Sequence, residues 1–182
     1  MRLNGMTAIV TGGASGMGES MVYAFAKEGT SIVVVDRNID GANAVVNNVE
    51  KQGGKAICVK ADVQSTDELD AMAKEAMNTF GKINILVNNA GARVIKGFLE
   101  HTKEDWDTML GINLSGPFYC SQAIAPKMMA SGGGSIINIC SIASYMGRPN
   151  RCAYVAAKSG LLGLTRTMAI DLAPKNIRVN GI

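Results

Sequence analysis

Met6–Glu28 reads MTAIVTGGASGMGESMVYAFAKE, an apolar run, a glycine turn and a helical stretch in immediate succession. Met6 to Val10 predicts a short buried strand. Thr11-Gly12-Gly13-Ala14-Ser15-Gly16-Met17-Gly18 follows, and Glu19 to Glu28 then predicts a helix. Glycines at 12, 16 and 18 let the backbone turn sharply and approach a diphosphate closely, while the helix that follows points its positive end at that charge. The spacing differs from the commoner G-x-G-x-x-G, and an ordinary strand-to-helix loop would read the same way.

Working outward, Ser31 to Val35 predicts a second strand that ends in Asp36, roughly twenty residues beyond the turn. In a dinucleotide fold a carboxylate there bonds the adenosine ribose hydroxyls and repels a 2′-phosphate, which favours NAD over NADP. The alternatives are a plain turn residue, or an Arg37 that softens the repulsion. Ile39 to Gln52 predicts a helix, Ala56 to Lys60 a third strand, and Asp67 to Phe80 a helix with Leu69, Met72, Ala73, Ala76 and Phe80 on one stripe. Ala61-Asp62-Val63 follows the third strand at its carboxyl end, where open parallel sheets hold ligands, although Asp62 also suits a turn. Ile83 to Val87 predicts a fourth strand, leading into Asn88-Asn89-Ala90-Gly91, small and amide-bearing residues that admit a ligand close to the backbone and need hydrogen-bond partners. His101 reads as a surface residue before a helix capped by Thr102. Gly111-Ile112-Asn113-Leu114-Ser115-Gly116 sets a polar Asn among apolar residues and glycines, which predicts a buried, locally irregular helix.

Ser135 to Lys158, SIINICSIASYMGRPNRCAYVAAK, is where the chemistry is expected. Ser135 to Cys140 predicts a buried strand after Gly132–Gly134, with Ser141 at its end. Gly147, Pro149 and Asn150 mark a turn, and from Cys152 the spacing of Tyr154, Ala157, Lys158, Leu161 and Leu162 is helical. Tyr154 and Lys158 then share one helix face, so a hydroxyl, a phenol and an ammonium can converge. A phenol with a pKa of about 10 is a poor base at neutral pH, and a nearby ammonium favours the phenolate. A solvated i,i+4 pair is the competing reading. The helix continues to about Leu172, Pro174 closes it, and a sixth strand begins at Ile177.

The chain has 182 residues, 47% hydrophobic and 18% charged, which suits one compact domain over 1–182. Its net charge of +3 comes without a clustered basic run, so the footprint of a nucleic-acid binder is absent. Cys58, Cys120, Cys140 and Cys152 are scattered without metal spacing and read as reduced core residues, with a functional thiol at Cys140 or Cys152 as the alternative; no metal is expected. Met6 to Val10 is too short for a signal-peptide core, and no stretch approaches the ~20 apolar residues of a membrane span, so the expectation is a soluble cytoplasmic protein.

Taken in order, the T-G-x-x-x-G-x-G turn at Thr11 to Gly18, Asp62, Asn88 to Gly91, Asn113, Ser141, and Tyr154 with Lys158 resemble the short-chain dehydrogenase/reductase family, over nearly the whole chain and with the family's Ser-to-Tyr spacing. The resemblance implies an α/β fold, a Rossmann-type doubly wound parallel sheet of order 3-2-1-4-5-6 with the ligand crevice between strands one and four. It implies that Tyr154 is the acid/base, that Ser141 polarises the substrate oxygen, that Lys158 supports Tyr154 and binds the nicotinamide ribose, and that Asn113 holds a water linking Lys158 to solvent. Gly12, Ser15, Gly16, Met17, Gly18, Asp36, Arg37, Asp62, Val63, Asn89, Ala90 and Gly91, with Tyr154 and Lys158, are the expected cofactor contacts. The implied reaction is hydride transfer between NAD(H) and a small-molecule secondary alcohol or ketone, by a homodimer or homotetramer when full length.

Members of that family continue for several dozen residues beyond Arg178–Ile182, through a turn that contacts the nicotinamide, a substrate-covering segment and a seventh strand. The expectation is therefore a fragment, truncated before that strand and with its usual substrate determinants absent. Within enzymes the alternative is a 3-oxoacyl thioester reductase, for which Arg148 and Arg151 would meet an acidic carrier, although solvated loop charges read the same way. Outside enzymes it is a non-catalytic dinucleotide-binding or interaction protein, against which the four polar site residues speak.

Overall fold

Strands and helices alternate along the chain because β-branched apolar runs alternate with amphipathic stretches, and the computed structural model, which describes residues 1–182, shows both kinds of element in one sheet-centred layer structure. The strands are β1 (Thr7–Thr11), β2 (Ser31–Asp36), β3 (Lys55–Lys60), β4 (Ile85–Asn88), β5 (Gly134–Asn138) and β6 (Ile177–Gly181). All pairings are parallel and the order is β3-β2-β1-β4-β5-β6, as the resemblance implied. The order reverses between β1 and β4, which opens a crevice at their carboxyl ends.

The helices are α1 (Gly16–Lys27), α2 (Ile39–Lys51), α3 (Thr66–Phe80), α4 (Lys103–Leu110), α5 (Gly116–Ala130) and α6 (Cys152–Leu172). Asn38 and Ser65 cap α2 and α3 through their side-chain oxygens, and Gly81 ends α3 in the left-handed region at φ 74°. Thr102 and Asp105 form a reciprocal capping box on α4. A π-helical segment, Gly111–Ser115, joins α4 to α5, so the expected irregularity is one wide turn inside a long rod. A 3-10 turn, Ala173–Lys175, holds Pro174 and closes α6.

Because the central strands of this parallel sheet are covered on both faces, successive residues of β1 serve different cores. Ile9 packs with Leu69, Met72 and Ala76 of α3 and with Ile124 and Met128 of α5. Ala8 and Val10 pack with Val22 of α1 and Val45 and Val49 of α2. Each fully buried aliphatic side chain contributes roughly 1.5–3 kcal/mol, which secures the strands that carry the crevice. At the β5–β6 end one face is buried through Ile136, Ile177 and Val179, while on the other Ile137 is half-buried and Arg178 and Asn180 are exposed.

Some boundaries differ from expectation. β4 starts at Ile85 because Ile83 and Asn84 are diverted: the Ile83 N–H donates to Ser131 Oγ, and Asn84 exchanges bonds with Thr7 through its N–H and its Oδ1. α1 starts at Gly16, three residues before the expected Glu19, so Gly16, Met17 and Gly18 of the glycine motif belong to its first turn. The reading of the cysteines as core residues holds for Cys120 alone. Cys58 lies half-buried on the edge strand β3, and Cys140 and Cys152 lie half-buried beyond the sheet's carboxyl edge. His101 is half-buried rather than superficial, its Nδ1 within 3.1 Å of the Gly97 carbonyl.

Candidate active site

The glycine turn is stitched to the segment after β4. Thr11 Oγ1 accepts the N–H groups of Asn89 and Ala90, both at 3.1 Å, and the Asn89 amide donates to the carbonyls of Thr11 and Gly12 at 2.9 and 3.0 Å. Asn88 turns the other way, donating to Asn138 Oδ1 at 2.8 Å and Ser121 Oγ at 3.1 Å, and Asn138 in turn donates to Thr165 on α6. The two amide groups thus donate in opposite directions, one at the crevice and one beneath it, and the buried Asn88 Oδ1 is left without a donor.

Beside this stitch lies a cavity of about 440 Å³ at the carboxyl ends of β1, β2 and β4. Gly12, Ser15, Gly16, Met17, Gly18, Asp36, Arg37, Asp62, Val63, Asn89, Ala90 and Gly91 all line it, so twelve of the fourteen expected cofactor contacts meet there. Val35, Ala61, Ala92 and Ile112 also line it and were missed; they are small or apolar, and place alone could have marked Val35 and Ala61, at the ends of β2 and β3, while Ala92 follows β4 and Ile112 sits in the π segment. A Cβ on Gly18 would fall 2.0 Å from the Gly12 carbonyl oxygen, and one on Gly12 2.9 Å from Ala90 Cα. Gly12 and Gly16 sit at φ 64° and 56°. Ser15, the residue before α1, makes no side-chain capping bond, and the first-turn amides of α1 have no acceptor within the helix. A narrow glycine cradle, a free hydroxyl and a helix amino terminus fit the diphosphate of a nicotinamide dinucleotide.

The charged residues of the cavity are held unequally. Asp36 accepts the Ala14 N–H at 3.1 Å and the Asn38 N–H at 3.0 Å, which fixes both carboxylate oxygens at the turn. Arg37 donates to Asp62 Oδ2 at 3.2 Å, and Asp62 Oδ1 accepts the Gln64 N–H at 2.9 Å. Burial raises the Asp62 pKa, but the Gln64 and Arg37 hydrogen bonds outweigh it and the net shift is downward.

The catalytic candidates stand on the β5–α6 side. Ser141 precedes a 3-10 turn, Ile142–Ser144, and its Oγ accepts the Ala143 N–H at 3.1 Å, leaving its own O–H free. Tyr154 is in the first turn of α6, and Lys158 is one turn on, 4% exposed, with Nζ 5.9 Å from the centre of the Tyr154 ring. Lys158 donates to the Ile139 carbonyl at 2.7 Å, just past the end of β5. Burial depresses its pKa from 10.5 to about 8, against a small upward push from Cys140. No hydrogen bond joins Ser141, Tyr154 and Lys158 to one another; of the expected convergence, the proximity of Tyr154 and Lys158 on α6 is what the geometry displays. Asn113, buried in the π segment, gives both amide hydrogens to the carbonyls of Ala92 and Met109 and accepts the Ala92 N–H. Its side-chain donors are thus divided between the loop after β4, at Ala92, and the last turn of α4, at Met109. Ile139 was not foreseen as a partner of Lys158, because a backbone carbonyl leaves no mark in a sequence.

The sequence model of the family described as short chain dehydrogenase matches residues 6–182. A 7alpha-hydroxysteroid dehydrogenase of Escherichia coli K12 is 41% identical over 182 residues, covering 100% of this chain and 71% of the relative. A 3-oxoacyl-[acyl-carrier-protein] reductase of Synechocystis is 38% identical over 181 residues, 99% of this chain and 73% of the relative. A solved 7 alpha-hydroxysteroid dehydrogenase, complexed with NADH and 7-oxo glycochenodeoxycholic acid, superposes with a TM-score of 0.95 at 41% identity, covering 99% of this chain and 70% of that one.

Proposed function

The chain belongs to the short-chain dehydrogenase/reductase family, oxidoreductases of alcohol and ketone groups, and on that premise we propose an NAD-preferring enzyme in which Tyr154 exchanges a proton with the oxygen of a secondary alcohol or ketone. The observation that carries this reading is the placement of Lys158, buried and anchored on Ile139, one helical turn from Tyr154. A bound nicotinamide supplies the hydride acceptor for oxidation, or the donor for reduction. In oxidation, the alcohol oxygen gives its proton to Tyr154 Oη as hydride leaves the adjoining carbon. Ser141 keeps a free O–H for that oxygen. Lys158 sets a positive charge beside the phenol ring and keeps two N–H donors beyond the one given to Ile139, enough for ribose hydroxyls. Asn113 holds the Ala92 backbone and so shapes the floor between cofactor and substrate.

The preference for NAD rests on Asp36, fixed by two backbone donors at the ribose end, while Arg37 is drawn to Asp62. The relatives' names widen the substrate range to a steroid alcohol and a carrier-bound 3-oxoacyl thioester, and both chemistries fit this reading. Residues 1–182 act as one dinucleotide-binding domain that carries the catalytic residues. Exposed Trp106 and Phe118 on the α4–α5 rod support a homo-oligomer, which light scattering tests. No helix is long and apolar enough to cross a membrane.

Tyr154→Phe removes one oxygen and little volume. We expect turnover to fall at least a hundredfold, in keeping with the 10²- to 10⁴-fold contribution of a positioned acid/base, while NADH binding followed by fluorescence stays within threefold. Turnover within tenfold of wild type counts against the assignment.

A further inference from the structure

Two loops leave the carboxyl edge of adjacent strands: 89–102 after β4, and 139–151 after β5, which carries Ser141 and leads into α6 just before Tyr154. The Lys96 N–H donates to the Asn150 carbonyl at 3.0 Å, so the loops form one continuous rim. The rim is apolar where it is most exposed, with Phe98 at 77% and Leu99 at 94% on one loop and Ile142, Tyr145 and Met146 exposed on the other. So many large apolar side chains exposed on two joined loops are characteristic of a binding surface rather than of ordinary solvated loops.

The charges on this rim are one-sided. Arg93, Arg148 and Arg151 make no ion pair, whereas the Lys96 charge is met by Asp105 at 2.6 Å. From 139 to 151 there is no carboxylate. From 89 to 102 there is only Glu100, whose Oε2 accepts the Gly97 N–H. An apolar rim with three uncompensated guanidinium groups is complementary to a molecule with an apolar body and a negative group remote from its reacting carbon.

We propose that the substrate is an amphipathic anion: a secondary alcohol or ketone on an apolar skeleton that lies against the Phe98–Leu99 and Ile142–Met146 rim, with a carboxylate or equivalent anion held by Arg148 and Arg151. This deepens the reading of the site as an alcohol/ketone oxidoreductase and rests on it for the reacting group alone. Arg151 immediately precedes α6, three residues before Tyr154, so the cationic end of the rim starts at the catalytic helix.

The test compares cholate, a rigid apolar skeleton with secondary alcohols and a remote carboxylate, with its neutral carboxamide. Binding is measured by calorimetry with and without NADH, and NAD-linked oxidation in parallel. We expect cholate to bind about tenfold tighter than the carboxamide at low ionic strength, and this advantage to shrink as salt rises. The cholate-to-carboxamide ratio should fall towards one in Arg148→Gln/Arg151→Gln and recover partly in Arg148→Lys/Arg151→Lys. Equal binding of the two compounds, or a preference that survives the glutamine substitutions, overturns the proposal. So does tight, arginine-dependent binding of a 3-oxoacyl carrier protein without binding of cholate. Arginine-dependent cholate binding with no oxidation of cholate, its carboxamide or cyclohexanol upholds the anion site and counts against the catalytic reading instead.

Discussion

Asp36 and Arg37 present opposite charges to neighbouring points of one crevice, and their surroundings decide which is felt. Asp36 is pinned by two backbone N–H groups, whereas Arg37 leans on Asp62. A 2′-phosphate therefore meets a fixed anion and a cation already engaged. Asp62→Asn releases Arg37 and should raise kcat/KM with NADPH about two- to fivefold, because exposed ion pairs contribute only ~0.2–1 kcal/mol. Asp36→Ala should narrow the NADH-to-NADPH ratio roughly thirtyfold, the reach of two like charges a few ångströms apart after screening. A wild type that uses the two cofactors equally shows that Arg37 prevails. Lys158 lends itself to a different measurement. Its folded pKa of about 8 lies below its ordinary 10.5, so between those values the unfolded chain binds more protons and stability rises with pH; below about 8 the penalty is present in full. In the cofactor-free protein, the difference in unfolding free energy between wild type and Lys158→Met should therefore move in favour of wild type by roughly 2–3 kcal/mol from pH 7 to pH 10. Urea titrations at both pH values read this directly, and an unchanged difference means the ammonium is better solvated than its burial indicates.

Helices and turns make contrasting demands on glycine. In the turn before α1, Gly18→Ala sets a methyl 2.0 Å from the Gly12 oxygen, so NADH binding should weaken at least tenfold and the melting temperature should fall. In α6, Gly163 is exposed and an added methyl there would meet nothing within 4 Å, so Gly163→Ala should stabilise the protein by about 0.5–1 kcal/mol in denaturant unfolding. A stabilised Gly18 variant would mean the turn has room to shift. The same contrast shows what a sequence can reveal of these elements. The glycine turn, the strand–helix alternation and the irregular helix around Asn113 were legible, because each breaks or keeps a local period. The start of β4 was not, because Ile83 and Asn84 suit a strand and are drawn off by Ser131 and Thr7, residues distant in the chain. Within the site, side chains with distinctive chemistry could be named in advance, while the Ile139 carbonyl and the lining positions Val35, Ala61, Ala92 and Ile112 depend on where the backbone goes.

At the scale of the molecule, the parallel order sets β1 and β4 at the centre and β3 and β6 at the margins. Ile9, Val33 and Leu86 are fully buried, while Lys55 and Lys60 on β3 and Arg178 on β6 are exposed. Hydrogen exchange should follow this gradient, with the amides of β1 and β4 opening only on global unfolding and those of β3 and β6 exchanging at least tenfold faster. Protection as strong at β3 as at β1 would show that the edge is covered in solution. The same order also has a meaning in time. As the chain is synthesised, β1 can pair with β2 once Asp36 has emerged, but its other flank waits for β4, which ends at Asn88. About fifty residues separate the two events, roughly 3–10 s at ordinary rates of translation. For that interval the nascent half-sheet has a bare central flank, and the crevice does not exist until the later half arrives to make its second wall. A chaperone that shields β1 during those seconds would be guarding the future cofactor site.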